Sequence, residues 1–302
     1  MSTPSDKTRV ILIINPHKSQ TQSYGRQLRD WLQERVQVVA DNLQGNLDFK
    51  NLPPADFIIV LGGDGTILST VRDLRCNQLP LIGVNMGKLG FLAEFSLEHL
   101  QEQFDEIITL EKPYTERTML ECRINRPGRP DFETMIVNDL AIIAGPPFRM
   151  IEVSISIASE PLACCAGDGL IVATPTGSTA YNLSAGGPIL ASTLKAAVIT
   201  PLAAHSLSFR PIVVNLDKPI TLRCRDVHAC GSEQTQPGAS GAVVVIDGQD
   251  HTVLKSEDTI TVTPAAAQFL LVQNPRQSQW RLLNTKLHWG ARPNYTQTTE
   301  DN

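Results

Sequence analysis

No apolar stretch in the chain approaches the roughly 18 residues that a membrane-crossing helix needs. Residues 1–9 are polar and lack the apolar core of a signal peptide. These two absences lead us to expect a soluble protein of the cytoplasm with no membrane partner. Basic charge is not in excess either: 26 Lys and Arg against 31 Asp and Glu leave a formal net charge of -5, which offers nucleic acid no electrostatic invitation. The six cysteines, at 76, 122, 164, 165, 224 and 230, include no Cys-x-x-Cys pair. Cys224, His228 and Cys230 form the one grouping that hints at a metal, and no fourth ligand stands nearby, so reduced structural thiols are expected rather than zinc. Also missing are the Gly-x-Ser-x-Gly elbow of serine hydrolases, the Gly-x-x-x-x-Gly-Lys-Ser/Thr loop that cradles nucleotide phosphates, and any internal repeat.

What the chain does have, at 302 residues, is length enough for two domains with cores of their own. Its most informative short stretch is Phe57-Ile-Ile-Val-Leu61-Gly62-Gly63-Asp64-Gly65-Thr66-Ile67-Leu68. Five apolar residues without alternation suit a strand covered on both faces, as in a parallel sheet. Gly62, Gly63 and Gly65 can take positive φ and let another molecule come close to the backbone. Thr66, Ile67, Leu68 and Val71 then have helical spacing, so the turn would offer a helix N-terminus to an anion. Asp64 is out of place if the turn only binds phosphate. It makes sense if it orients or deprotonates an attacking hydroxyl, or meets a metal ion. A plain βα turn with Asp64 as helix cap is the structural alternative.

Around this stretch the pattern is strand, helix, strand, helix. Residues 10–14, 36–40 and 80–84 read as strands, Tyr24, Leu28, Trp31 and Leu32 as one face of a covering helix, and Ser96 as the cap of a helix reaching about Thr109. This predicts an α/β layer with a parallel sheet, its ligands at the carboxyl ends of the strands, where the turn at 62–66 and a second glycine turn at 85–92 both lie. Beyond Glu111-Lys-Pro113 the texture changes to short strands, at 118–124, 132–143, 151–157, 212–216, 220–224, 242–246 and 259–262, with clear alternation at Ile151, Val153, Ile155 and Ile157. The expected layout is an α/β N-terminal domain over 1–112, a β-rich C-terminal domain over 113–275, and a C-terminal segment over 276–302. That last segment could return to the first domain through residues 280–287 and is expected to be disordered beyond Gly290.

A second block carries chemistry: Gly167-Asp168-Gly169-Leu-Ile-Val-Ala-Thr174-Pro-Thr176-Gly177-Ser178-Thr179-Ala180-Tyr181-Asn182-Leu183-Ser184. It reads as an apolar strand running into a turn lined by hydroxyls. Tyr181 could stack on a base, and the hydroxyls could reach ribose or phosphate oxygens. Asn138-Asp139 interrupts an otherwise apolar strand, where a polar pair is costly unless partnered; a ligand and an internal hydrogen-bond network are both open readings.

Taken together, Gly62-Gly-Asp64-Gly-Thr66, Asn85-Met-Gly-Lys-Leu-Gly-Phe-Leu92, Asn138-Asp139, the block from Asp168 to Ser184, and Asp247-Gly-Gln249 resemble the NAD kinase family across nearly the whole chain. The first motif has relatives among diacylglycerol, sphingosine and phosphofructokinase-type kinases; the long block is the specific one. The resemblance implies a two-domain enzyme that moves the γ-phosphoryl group of ATP to the 2′-hydroxyl of the adenosine ribose of NAD, giving NADP. It implies Asp64 as catalytic base, with Gly65 and Thr66 in the phosphate-facing turn. Asn138 and Asp139 would hold dinucleotide hydroxyls, and Asp168 would meet the nicotinamide side. Thr179, Ala180, Tyr181, Asn182, Leu183 and Ser184 would surround the adenosine, and Gln249 would close the pocket. A divalent metal, Mg²⁺, would bridge the ATP oxygens, and a homodimer or homotetramer is expected.

Three positions depart from common bacterial patterns: Asp139 where glutamate is usual, Arg149 where some members have histidine, and Ala166 where many have arginine. The last two bear on substrate contact, including the choice between NAD and NADH. The competing functions are a lipid or sugar kinase using the same turn, which has no need of the block at 168–184, and a non-catalytic dinucleotide sensor.

Overall fold

The computed structural model describes residues 7–15, 19–87, 90–146, 148–224 and 241–290. His228 and Cys230, Lys88 and Leu89 of the second glycine turn, and the tail beyond Gly290 therefore lie outside the described residues.

The first layer runs β1 (Arg9–Ile14), α1 (Ser19–Gln33), β2 (Gln37–Asp41), β3 (Phe57–Leu61), α2 (Asp64–Leu74), β4 (Leu81–Val84), α3 (Leu97–Thr109) and β5 (Tyr114–Arg117). All five residues of β3 are buried, because the strand is covered twice. Leu28 and Leu32 of α1 and Phe104 and Ile107 of α3 pack on one face of the sheet, and Ile67, Val71 and Leu74 of α2 on the other. Trp31 meets the Phe104 ring edge-on with centroids 5.3 Å apart, whereas Tyr24, read as part of the same apolar face, is 47% exposed. Ser96 caps α3 as expected, its hydroxyl accepting from the His99 N–H at 3.1 Å.

The β-rich part runs β6 (Leu120–Asn125), β7 (Phe132–Ile136), β8 (Asp139–Ala144), β9 (Ile151–Ile157), β10 (Glu160–Gly167), β11 (Gly169–Ala173), a single 3₁₀ turn (Gly177–Thr179), α4 (Tyr181–Ser184), β12 (Ala196–Leu202), β13 (Ile212–Asn215), β14 (Ile220–Cys224), β15 (Ala242–Ile246), β16 (Asp250–Leu254) and β17 (Thr259–Pro264). The chain then ends its described course with β18 (Phe269–Val272) and α5 (Gln279–Leu287).

These strands form three six-stranded sheets. The first has the order β2-β1-β3-β4-β18-β5, parallel from β2 to β18 and antiparallel at β5. The other two, β10-β9-β14-β17-β6-β7 and β13-β12-β11-β8-β15-β16, are antiparallel throughout and share one apolar core, so they form a sandwich. Cys122 and Cys224 lie in that core, where burial pushes both thiols up to about 12 and leaves them packing groups.

Two differences from the sequence reading bear on function. The run at 132–143 is two strands, not one, and they belong to different sheets of the sandwich. The return to the first layer begins earlier than expected, with β18 inserted between β4 and β5, and the helix at 279–287 also reaches that layer, where Leu282 and Leu283 line a cavity with Phe91 and Glu94.

Candidate active site

The carboxyl ends of β1 and β3 open onto a cleft of about 510 Å³ lined by Asn15, Asn42, Gly63, Gly65, Thr66 and Gln249. Gly63 caps α2 without a side chain, and since the Thr66 N–H already donates to the Gly63 carbonyl, the N–H groups of Asp64 and Gly65 are the ones the first turn leaves for an anion. The glycines work differently from the expectation, for none of Gly62, Gly63 and Gly65 has positive φ. Their value is room: a Cβ on Gly62 would crowd the Thr66 hydroxyl, one on Gly65 would approach Gln249 Nε2 to 3.2 Å, and one on Gly63 would point into the open cleft. An anion can therefore come against the backbone itself.

Asp64 turns away from the cleft mouth. Its Oδ2 accepts from the Phe91 N–H at 2.9 Å, and its Oδ1 accepts from the Leu92 and Ala93 N–H groups, each at 3.1 Å. Gly90 allows this, because a Cβ there would overlap Asp64 Oδ1. The two glycine turns of the first layer are thus one structure, the second gripping the carboxylate of the first.

Behind the grip stands a buried ion pair. Arg117 Nη2 lies 3.4 Å from Glu94 Oε1, and Glu94 Oε2 accepts from the Asn274 N–H at 3.1 Å, which ties the returning chain to this loop. Burial pushes the Glu94 carboxyl up, and the Arg117 charge opposes it. Phe91, Glu94 and Arg117 line a small cavity together with Thr176 and Thr179, so the second chemical block is delivered beside the first. Arg117 Nε and Thr176 Oγ1 are buried there without a hydrogen-bond partner among the described residues.

Asn138 and Asp139 sit where the chain leaves β7 for β8. One carboxylate organises this break: Asp247 Oδ1 accepts from the N–H groups of Asn138 at 2.7 Å, Asp139 at 3.1 Å and Val137 at 3.2 Å. Thr174 Oγ1 donates to the Val137 carbonyl at 2.6 Å and accepts from the Gly177 N–H at 3.0 Å, while a Cβ on Gly177 would overlap the Asn138 carbonyl. The hydroxyl-rich turn is therefore pressed against Asn138. Asp139 is 5% exposed; burial, with the Asp247 charge beside it, raises its carboxyl pKa to about 7.

Placement of the remaining residues is uneven. Gln249 Nε2 donates to the Gly65 carbonyl at 2.7 Å, directly at the first turn. Thr179 and Ala180 are half-buried, Thr179 in the cavity beside Phe91 and Arg117; Tyr181 is 42% exposed, and Leu183 and Ser184 follow on α4. Asn182 turns inward: Nδ2 donates to the Ser178 and Pro188 carbonyls at 3.1 and 3.0 Å, and Oδ1 accepts from the Thr200 hydroxyl at 2.6 Å. Asp168 and Arg149, both exposed, are not brought to this cluster. Gly169 pairs with Ile143 and Ala173 with Asp139, so Asp168 lies at the opposite end of the β8–β11 ladder, on the order of 15 Å from Asp139 at about 3.4 Å per residue. Arg72, Asp247, Glu94 and Arg117 were missed as site residues; the one available signal was Asp247, already part of the Asp247-Gly-Gln249 motif. Among the described residues no group of three or more His, Cys, Asp or Glu side chains converges on a metal position.

A helix N-terminus at the carboxyl edge of a parallel sheet, with its first carboxylate gripped by a neighbouring loop and a hydroxyl-rich turn from a sandwich beside that loop, suits an α/β protein that binds a phosphate-bearing ligand. Comparison with known proteins makes the class specific. Residues 48–112 match the ATP-NAD kinase N-terminal domain and residues 137–274 the ATP-NAD kinase C-terminal domain. The chain is 36% identical to the NAD kinase of Rhodopirellula baltica over 94% of its own length and 88% of that protein. It is 40% identical to the NAD kinase of Thiobacillus denitrificans over 79% of its length and 78% of that protein. Among solved structures, an Archaeoglobus fulgidus NAD kinase in complex with ATP superposes with a TM-score of 0.73 at 25% identity, covering 93% of this chain and 99% of that one. Yeast NADH kinase complexed with NADH shares the fold with a TM-score of 0.81 at 24% identity, covering 98% and 95%. The chain belongs to the NAD kinase family.

Proposed function

We propose that this kinase transfers the γ-phosphoryl group of ATP to the 2′-hydroxyl of the adenosine ribose of NAD, with Asp64 as the base. The observation that carries this reading is the state of the Asp64 carboxylate. An ionised carboxylate has about four lone-pair sites. Two on Oδ1 are taken by Leu92 and Ala93 and one on Oδ2 by Phe91, which leaves one Oδ2 lone pair to accept a proton. The attacking ribose oxygen forms the new P–O bond, the bond from the γ-phosphorus to the β,γ-bridging oxygen breaks, ADP leaves, and the hydroxyl proton passes to Oδ2. The first turn of α2 holds the donor phosphates, Asn138 and Asp139 the acceptor hydroxyls, and Thr179 and Tyr181 the adenosine.

A Mg²⁺ ion fits this donor set. It is characteristically bound by one or two carboxylates plus substrate phosphates rather than by an all-protein cage, and Asp73 lines the cleft together with Gly63, Gly65 and Thr66. Held against the ATP oxygens beside Asp64, it would neutralise the charge that builds up on them.

The test is an assay of purified protein with ATP, Mg²⁺ and NAD, reading NADP. Turnover should be lost with chelator and restored by Mg²⁺. Asp64→Asn should lower kcat by roughly 10²–10⁴-fold while NAD binding by calorimetry stays within a few-fold. No NADP across several metals and phosphoryl donors would remove the function, and an Asp64→Asn enzyme of full activity would remove the base. The same reading includes a homodimer or homotetramer in the cytoplasm. Ile212 and Val213, both more than two-fifths exposed on the edge strand β13, support association. No helix among the described residues is long and apolar enough to cross a membrane; recovery of the native protein in a membrane fraction would count against the cytoplasm.

A further inference from the structure

Two segments far apart in the sequence, α2 and the turn joining β15 to β16, meet at one side chain. Arg72, on the third turn of α2, donates from Nη1 to Asp247 Oδ2 at 3.1 Å and from Nη2 to Gln249 Oε1 at 2.9 Å, and its Nη2 lies 3.0 Å from Asp250 Oδ2. The Arg72 side chain is 9% exposed and the Asp247 carboxylate 0%. Asp247 adopts a left-handed φ of 50°, and the carboxylate this presents holds the N–H groups of Val137, Asn138 and Asp139. At the other end of the turn, Gln249 reaches the Gly65 carbonyl at 2.7 Å. The turn is therefore stapled to α2 twice, at the head of the helix and two turns along it, and the residues hung from the far side of the staple are Asn138 and Asp139.

A carboxylate with no solvent access is costly unless a cation and donors compensate it. Three backbone N–H groups and Arg72 do so here. The planar guanidinium addresses Asp247 and Gln249 together, and an ammonium is a point charge that cannot reproduce that fork. From this arrangement we infer that Arg72 is a positioning residue for phosphoryl transfer: acting through Asp247, it sets Asn138 and Asp139 of the sandwich in place against the phosphate-facing turn at the head of its own helix. The inference rests on the reading of Asn138 and Asp139 as the acceptor-holding pair. Its physical force comes from the steepness of orientation effects, since a displacement of about 1 Å between reacting groups can cost on the order of 10²-fold in rate.

The experiment uses the full chain with Arg72→Gln, Arg72→Lys, Asp247→Asn and the Arg72→Gln/Asp247→Asn double variant, reading kcat, KM for NAD and for ATP, and calorimetric NAD binding. Arg72→Gln should lower kcat/KM for NAD by on the order of 10²-fold with KM for ATP changed less than about twofold. Arg72→Lys should recover about tenfold of the loss, because it restores the charge and not the fork. The double variant should be no worse than the more damaging single one, because the pair acts as a unit. Values of kcat/KM for NAD within about threefold of wild type in Arg72→Gln would overturn the inference. So would a fall in kcat matched by an equal fall in the calorimetric stoichiometry of NAD binding, the signature of a smaller folded fraction. If Arg72→Gln does not fold, Arg72→Lys carries the test, with a kcat/KM for NAD at least several-fold below wild type expected and equality overturning the inference. Wild-type protein that made no NADP would instead remove the function itself, which keeps the two failures apart.

Discussion

Asp139 is buried beside Asp247, and the two effects together raise its pKa from 3.8 to about 7. The folded protein therefore keeps a proton on this carboxyl between about pH 4 and pH 7 that the unfolded chain releases, so its contribution to stability is present below pH 4 and is lost as pH rises toward 7. Asp139→Asn should leave stability near pH 4 unchanged and raise it by on the order of 2–4 kcal/mol at pH 8, measured by urea denaturation. The functional sign is opposite. Ribose hydroxyls donate best to the ionised carboxylate, so KM for NAD should fall several-fold between pH 6 and pH 8. That dependence should vanish in Asp139→Asn; an equal slope in the variant would place the titrating group elsewhere. At this scale the sequence was legible where the chemistry was local. Asp64 could be singled out because a carboxylate among phosphate-binding glycines is electrostatically odd. Arg72 could not, because its partners lie 175 and 177 positions away.

Among elements, the stretch from β4 to α3 shows how a loop without regular structure can be the most constrained part of a site. It supplies the three N–H groups that fix Asp64, and Gly90 makes the approach possible. Gly90→Ala places a methyl group where Asp64 Oδ1 stands, so the carboxylate must leave at least one of its donors. We expect kcat to fall at least tenfold with a modest loss of stability, about 1–3 kcal/mol. Wild-type kinetics in that variant would show that the grip is dispensable. Strands whose pattern is complete in themselves were legible to the residue: β3 and β15 begin and end where their apolar runs do, and β14 where its alternation does. The run at 132–143 misled because its one internal mark, the polar pair Asn138-Asp139, was read as lying within a strand rather than between two. The break is made by Asp247, which captures the N–H groups of 137–139 and turns the chain into the other sheet. Strand β10 was missed since only its last residues are buried, and its other positions carry no alternation to read.

For the molecule as a whole, the sequence announced an α/β layer and a β-rich layer but could not show how they interlock. β18 is the reason: a four-residue strand near the end of the described chain fills the place between β4 and β5, and Asn274 just beyond it holds Glu94 behind the loop that grips Asp64. No local pattern tells such a strand which sheet to join. Among the described residues the same three open sheets leave six outer strands, and one of them, β13, carries three apolar residues in a row. Ile212 and Val213 on it are 42% and 46% exposed. Leu207, on the turn before it, is 94% exposed. An apolar edge strand left open in water invites pairing with another chain, and natural proteins cover such edges or charge them. No charge guards the sequence Ile212-Val-Val-Asn215, so cover by a second copy of this chain is the consistent outcome. Light scattering should therefore give twice or four times the chain mass for the wild type, and Val213→Asp should shift the population toward single chains by at least tenfold in dissociation constant. A wild-type protein that ran as a single chain at micromolar concentration would end the argument for association. A Val213→Asp variant of unchanged mass would move the interface away from β13 while leaving the oligomer intact.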